Sequence, residues 1–176
     1  MPEKPPDFAK AQSEIAGFVR NFPTVAGAEA VNHFLDAFRN QSWEGTAWPP
    51  RSARTSARSN RGRALLVDSG RLRRSVRVVE TRSGYVRVGT DVPYAKIHNE
   101  GGPATMNQSV SAHRRRAHVR RRQGREIQVA AHDVAAHSRT VRIVMPRRQF
   151  MGNSPALERK IQAAAEKIIK KIIESL

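Results

Sequence analysis

The chain contains no cysteine. That excludes disulfides, thiolate metal sites and a cysteine nucleophile. Long apolar runs are missing too: none approaches the roughly 20 residues of a membrane-spanning helix. The opening residues, MPEKPPDFAK, lack the apolar centre of a signal peptide, so a soluble, non-secreted protein is expected. Aromatic residues make up only 6% of the chain, few for a surface that stacks bases on rings. Acidic residues are scarce: 15 Asp and Glu face 32 Lys and Arg, a formal net charge of +17 over 176 residues. With 39% hydrophobic residues the chain is still no disordered polycation, and its length fits one domain with a real core.

What is abundant is arginine, 25 of the 32 basic residues. Residues 51–87 hold 11 Arg against Asp68 and Glu80, and residues 113–148 hold 11 Arg against Glu126 and Asp133, each a net +9. The remaining segments, 1–50, 88–112 and 149–176, are close to neutral at −2, −1 and +2. Two dense basic segments on a near-neutral scaffold point to a polyanion or to the acidic face of another protein.

The apolar spacing predicts an α+β fold. Phe8, Ala11, Ile15, Phe18, Val19 and Phe22 recur at helical spacing, with Asp7 as the cap and Pro23 as the stop. A second helix is expected from Thr24 through Val31, Phe34, Leu35 and Phe38. Residues 41–64 read as a basic, irregular loop carrying Trp43 and Trp48, which are expected to tuck back onto their own domain. Asp68-Ser69-Gly70 is a tight turn that returns Leu72 to the core. From Val76 the period becomes two. Val76 and Val78, then Val86 and Val88 across Ser83-Gly84, and finally Ala95 and Ile97 predict an antiparallel meander.

Beyond Gly101-Gly102-Pro103 lies a weak repeat: Val110-Ser-Ala-His113, Val129-Ala-Ala-His132 and Val134-Ala-Ala-His137. Arg114–Arg116 and Arg120–Arg122 precede Gln123-Gly124, and Ile127 and Val129 alternate after it, which reads as a long basic hairpin over about 106–140. In such strands each repeat would send Val and the second Ala to one face and His to the other. Val141, Ile143 and Met145 form a further strand, stopped by Pro146. Ser154 and Pro155 open an amphipathic C-terminal helix with the stripe Leu157, Ile161, Ala164, Ile168 and Ile172, widened by Ile169, Ile173 and Leu176. The domain reading is an N-terminal helical extension, 1–22, and a single α+β domain, 23–176.

Phosphate-loop, nucleophile-elbow and zinc-protease motifs are absent. His113/His118 and His132/His137 are each five apart, a poor spacing for a shared metal in a strand. A nuclease reading on His98-Asn99-Glu100 has only Asp91 as an obvious second acid. No enzymatic activity, cofactor or metal is expected, and His98 reads as an ordinary polar strand end.

Four pieces, in this order, resemble the virion morphogenesis proteins of tailed phages, the Mu-type tail-completion or neck proteins and their head–tail-joining relatives. They are Trp43, Gly45, Trp48 and Pro49 after a helix; LLVDSGRLRRSV; VGTDVPYAKIHNEGG; and MPRRQFMG before the last helix. The resemblance covers roughly 31–176. It leaves the first helix unplaced, and the basic segment 106–140 is longer than the minimal family domain. It makes Trp48, Gly70, Leu72, Tyr94, Ala95, Ile97, His98, Gly101, Arg148 and Phe150 fold-specifying, with Phe150 a core plug. It implies a six-fold ring at the virion neck or tail top, assembled in the bacterial host cytoplasm. The implied partners are further copies, a portal, connector or head-completion protein, and tail-tube or tail-terminator proteins, with non-specific contact to double-stranded DNA and no membrane. Arg114, Arg115, Arg116, Arg120, Arg121 and Arg122 are then candidate contacts to channel DNA or to acidic partners. The alternative is a free-standing basic nucleic-acid-binding protein.

Overall fold

The computed structural model describes residues 8–51 and 63–175. In chain order the elements are α1 (Phe8–Asn40), β1 (Ser42–Trp43), β2 (Thr46–Ala47), α2 (Arg71–Ser75), β3 (Arg77–Arg82), β4 (Tyr85–Gly89) and α3 (Ala95–Glu100). There follow β5 (Gly102–Val110), β6 (His113–Arg115), β7 (His118–Arg122), β8 (Arg125–Val129), β9 (His132–Val134), β10 (His137–Met145) and α4 (Pro155–Glu174). The fold is α+β, and all its strand pairs are antiparallel. The chain divides into two compact units: residues up to 101 together with those from 146, and the intervening 102–145.

In the first unit the expected stop at Pro23 is absent. One helix, α1, runs through it, and Thr24 lies inside that helix rather than capping a second one. A proline removes the N–H that would bond the carbonyl four residues earlier. Here that carbonyl, on Val19, accepts instead from the Gly84 N–H at the β3–β4 turn, 3.3 Å away. The hairpin lies close on α1: a Cβ at Gly27 would meet methyls of Val86 and Val78 at 2.8 and 2.9 Å. α4 packs on α1 as well. Ser154 caps it, its Oγ accepting from the Leu157 N–H at 3.0 Å. Leu157 is buried, and Ile161, Ala164, Ile168 and Ile172 are half-buried along the stripe. Ile169 and Ile173 are exposed and do not widen it, and Leu176 lies outside the described residues.

The core forms where the C-terminal half of α1 meets the two tryptophans and the returning chain. Phe38 meets Trp48 edge to face and Phe150 at a tilt, with centroids 5.6 and 5.0 Å away, and Phe150 is fully buried. The Trp48 Nε1 donates to the Gln149 carbonyl at 2.7 Å, so the expected tuck is real. Trp43 packs half-buried on His33 and Phe34. The part of the basic loop at 52–62 lies outside the described residues.

The predicted third strand of the meander is the helix α3. Tyr94 and His98 are therefore one turn apart, ring edge to ring face at 5.8 Å, and Tyr94 and Ile97 are not on opposite strand faces. Only β3 and β4 pair in this region.

The second unit is the basic hairpin, extending over 102–145 rather than about 106–140. It turns at Gln123-Gly124, both at positive φ (50° and 78°), as a type I′ turn requires. Its ladder is interrupted twice. β5–β10 ends at Val110↔His137, β6–β9 runs from His113↔Val134 to Arg115↔His132, and β7–β8 starts at His118↔Val129. The repeats are therefore not continuous strand. They are the interruptions, two residues left out of the ladder on each side. A histidine restarts each segment, its Nδ1 at 3.0, 3.2, 3.0 and 2.9 Å from the carbonyl two residues back in His113, His118, His132 and His137. Arg115-Arg-Ala-His118 is a fourth copy, hidden in the sequence because Arg replaces Val.

Candidate functional site

The arm formed by β6 to β9 carries all six candidate arginines, and pairing sorts them by face. Residues directly opposite in an antiparallel ladder share a face, and neighbours along a strand alternate. On one face of β7–β8 lie Val119↔Gln128 and Arg121↔Glu126. There the Arg121 Nε and Nη2 donate to Glu126 at 2.9 and 2.7 Å. On the other face lie His118↔Val129, Arg120↔Ile127 and Arg122↔Arg125. β6–β9 repeats the pattern: Arg114 faces Asp133, 3.7 Å apart, while Arg115 faces His132. Arg116 sits in an interruption. Among the described residues Arg115, Arg116, Arg120, Arg122 and Arg125 have no acidic partner. Like charges directly opposite, as at Arg122↔Arg125, destabilise a hairpin. None of the arm's residues is fully buried, so no core offsets that repulsion.

The motif residues divide between core and cavity. Trp48, Leu72, Ala95 and Phe150 are buried in the core, and Ile97 is half-buried. Gly101 closes α3 at φ 73°, its N–H on the Ile97 carbonyl at 3.0 Å. Gly70, Leu72, Tyr94, His98 and Arg148, from three separated motifs, line one cavity of about 410 Å³. Gly70 begins α2 at φ 74°, a left-handed conformation that suits glycine. Arg148 is only 6% exposed, and its Nε and Nη2 donate to the carbonyls of Pro49 and Pro50 at 2.8 and 3.0 Å. Burial, then the charge of Arg51, lowers its pKa from the ordinary guanidinium value. Burial, then the charge of Arg148, pushes His98 below the ordinary imidazole value. His98 is therefore no plain strand end. It belongs to a helix and lines the cavity, and its Nδ1 is buried without a partner.

Asn99 carries a role that spacing did not reveal. Its Oδ1 accepts from the N–H groups of Phe150 and Met151 at 2.9 and 3.0 Å, and its Nδ2 donates to the Met151 carbonyl at 3.0 Å. With the Arg148 N–H on the His98 carbonyl at 2.8 Å, α3 holds the chain where it returns from the arm. Asn99 is thus a splint rather than part of a nuclease triplet. Ser154, His33 and Glu44 also cluster, with Ser154 Oγ 2.9 Å from His33 Nε2. Glu44 reaches that same nitrogen and the serine itself, and Ser154 is 1% exposed and spent as a helix cap. An acid orienting the far imidazole nitrogen, as a hydrolytic triad needs, is not what this trio provides. No group of three or more His, Asp or Glu among the described residues could hold a metal ion. No helix among them is long and apolar enough to cross a membrane.

The sequence profile of the phage virion morphogenesis family matches residues 24–170. No curated protein and no solved structure matches the chain.

Proposed function

Because the chain belongs to the phage virion morphogenesis family, a family of structural and assembly proteins of the virion, we propose that it serves neck assembly, tail completion and head–tail joining as one subunit of a ring around the DNA channel. The arm lines that channel, with the β7–β8 face of Arg120, Arg122 and Arg125 toward the duplex.

The charge sorting of the arm supports this reading. An arm that needed only solubility would have no reason to neutralise one face and leave the other unpaired. Phosphates supply the missing counter-charge, and arginine forks match them well. Backbone contacts carry no sequence information, which suits a DNA that must slide past. A closed ring, six-fold by the family resemblance, repeats the same face around the axis and multiplies its field. The remaining partners are the portal, connector or head-completion protein on one side and tail-tube or tail-terminator proteins on the other.

Light scattering over a range of protein concentration and salt, alone and with portal or tail subunits, tests the assembly. A ring-sized species in either setting is expected. A monomer under all these conditions that binds duplex DNA tightly would replace this reading with a free-standing nucleic-acid-binding protein.

A further inference from the structure

One apolar stripe runs most of the length of α1. Phe8, Ile15, Val19, Ala26, Ala30 and Phe34 follow at steps of seven, four, seven, four and four residues, which keeps them on one helix face. Their cover changes along the helix. Phe34, Ala30 and Ala26 are 6, 7 and 7% exposed, whereas Val19, Ile15 and Phe8 reach 46, 56 and 78%. A two-stranded ribbon lies over the C-terminal half: Val86 and Val88 of β4 line one cavity with Ala26, Ala30 and Phe34. That ribbon ends at its Gly84 turn, bonded to the Val19 carbonyl, and there the exposed half of the stripe begins. α4 does not take over the cover. Its C-terminal end lies beside the start of α1, with Lys10 Nζ donating to the Ser175 carbonyl, and it leaves Ile169 and Ile173 exposed. With Phe8, Ile15 and Val19 these side chains present on the order of 500 Å² of apolar surface, the upper range for a monomer and the size of an interaction site.

The chain has another ribbon with an apolar face. In β5–β10 the pairs Met106↔Val141, Ala104↔Ile143 and Gly102↔Met145 share one face, and Thr105↔Arg142 and Asn107↔Thr140 share the other. Met106 is exposed, and Val141 and Ile143 are half-buried. A two-stranded ribbon is marginal in water unless its apolar face packs on a helix or a further strand. The unit 102–145 contains neither for it. The N-terminal half of α1 lacks a ribbon, then, and this ribbon lacks a helix. Chain length separates the two within one copy. Phe150 packs on Phe38, and from Phe38 to Phe8 α1 spans about 45 Å. From Phe150 back to the ribbon's root at Pro146 is at most about 14 Å, and the apolar pairs run out at Met106↔Val141, about 17 Å farther.

We infer that the apolar face of β5–β10 in one copy seats on the exposed α1 stripe, Phe8, Ile15 and Val19, of the next copy. The neighbour's ribbon continues in trans the cover that β3–β4 provides in cis. This seat rests on the ring reading above and names the contact that closes it. Stripe and ribbon are different surfaces of one chain, so the contact is head-to-tail and repeats around a ring.

The chain has no cysteine, so introduced thiols report contacts without background. Ile15→Cys and Met106→Cys change exposed side chains and are expected to leave the fold intact. The two full-length variants are mixed, alone and with portal or tail subunits, and treated with a short bis-maleimide. A dimer joining them is expected to form at least about tenfold faster than one joining Ile15→Cys to Thr105→Cys, on the ribbon's other face. The double variant Ile15→Cys/Met106→Cys is expected to give a ladder of multimers. Equal rates for the two faces, Ile15→Cys homodimers alone, a double variant that links only within one chain, or no link in either setting overturns the seat. A ring seen by light scattering without this link discards the seat and keeps the neck reading. The link in copies that form open chains and no ring keeps the seat and discards the ring.

Discussion

The backbone N–H of Gly84 donates to the carbonyl of Val19, 3.3 Å away. That carbonyl would otherwise be orphaned by Pro23, which lies inside α1 and is itself buried. A turn some 60 residues later in the chain thus keeps one long helix continuous where local rules end it. Gly84 sits at φ 70° and a Cβ there would meet nothing within 4 Å, so Gly84→Ala strains the turn that aims this N–H without creating a clash. It should cost about 1–2 kcal/mol. In a Pro23→Ala background the helix supplies its own N–H to Val19, and the turn matters less. Urea unfolding of the four proteins in a double-mutant cycle should show a coupling of about 0.5–1 kcal/mol. Zero coupling would mean that straining the turn does not disturb the bond that carries the helix through Pro23.

The splint at Asn99 makes a second, sharper expectation. Asn99→Ala leaves two N–H groups and one carbonyl at the Phe150–Met151 corner without their partner. The loss should be about 2–3 kcal/mol, seen as a lower unfolding midpoint. Asn99→Asp keeps the acceptor and loses the donor, so it should fall between wild type and Ala. If Asp were as damaging as Ala, the acceptor role would be wrong.

These two cases show which features the sequence carries plainly. Ser154-Pro155 announces α4 because cap and first turn are adjacent residues, and Gln123-Gly124 announces the arm for the same reason. Pro23 misleads because its rescue comes from Gly84, far along the chain. Residues 94–98 mislead because five residues of alternating character fit a strand as well as a short helix, and only packing of Ala95 and Asn99 decides between them. The Val-x-Ala-His repeat is visible as a pattern, but its meaning depends on the register across the hairpin. The cavity is the least legible feature, since its walls come from segments near 51, 65–72, 94–98 and 148.

Acid should weaken the fold through His98. Burial and the charge of Arg148 hold its folded pKa below the ordinary 6.5, so the unfolded chain binds its proton first as pH drops. Stability is unaffected above that value, falls with pH between the unfolded and folded values, and levels off below both. Unfolding midpoints of wild type and His98→Phe, measured across that window, should converge or cross as pH falls. Parallel curves would show that the imidazole is not held neutral by its surroundings.

The arm offers the most direct separation of electrostatic roles. Arg120, Arg122 and Arg125 share the unpaired face of β7–β8, whereas Arg121 is bound to Glu126 and Arg114 faces Asp133. Each phosphate contact adds about 0.9 to the slope of log affinity against log salt for duplex DNA. Converting Arg120, Arg122 and Arg125 to Gln should reduce that slope by about 2–3 and weaken binding equally on unrelated sequences. Converting Arg114 and Arg121 should change the slope by less than about 1, because their charge is already answered. Fluorescence anisotropy with two duplexes of different sequence measures both. If the two sets of variants lose the same slope, the arm meets DNA without a preferred face. If neither set changes it, the arm does not carry the DNA contact, and its unpaired arginines await the acidic surface of another subunit.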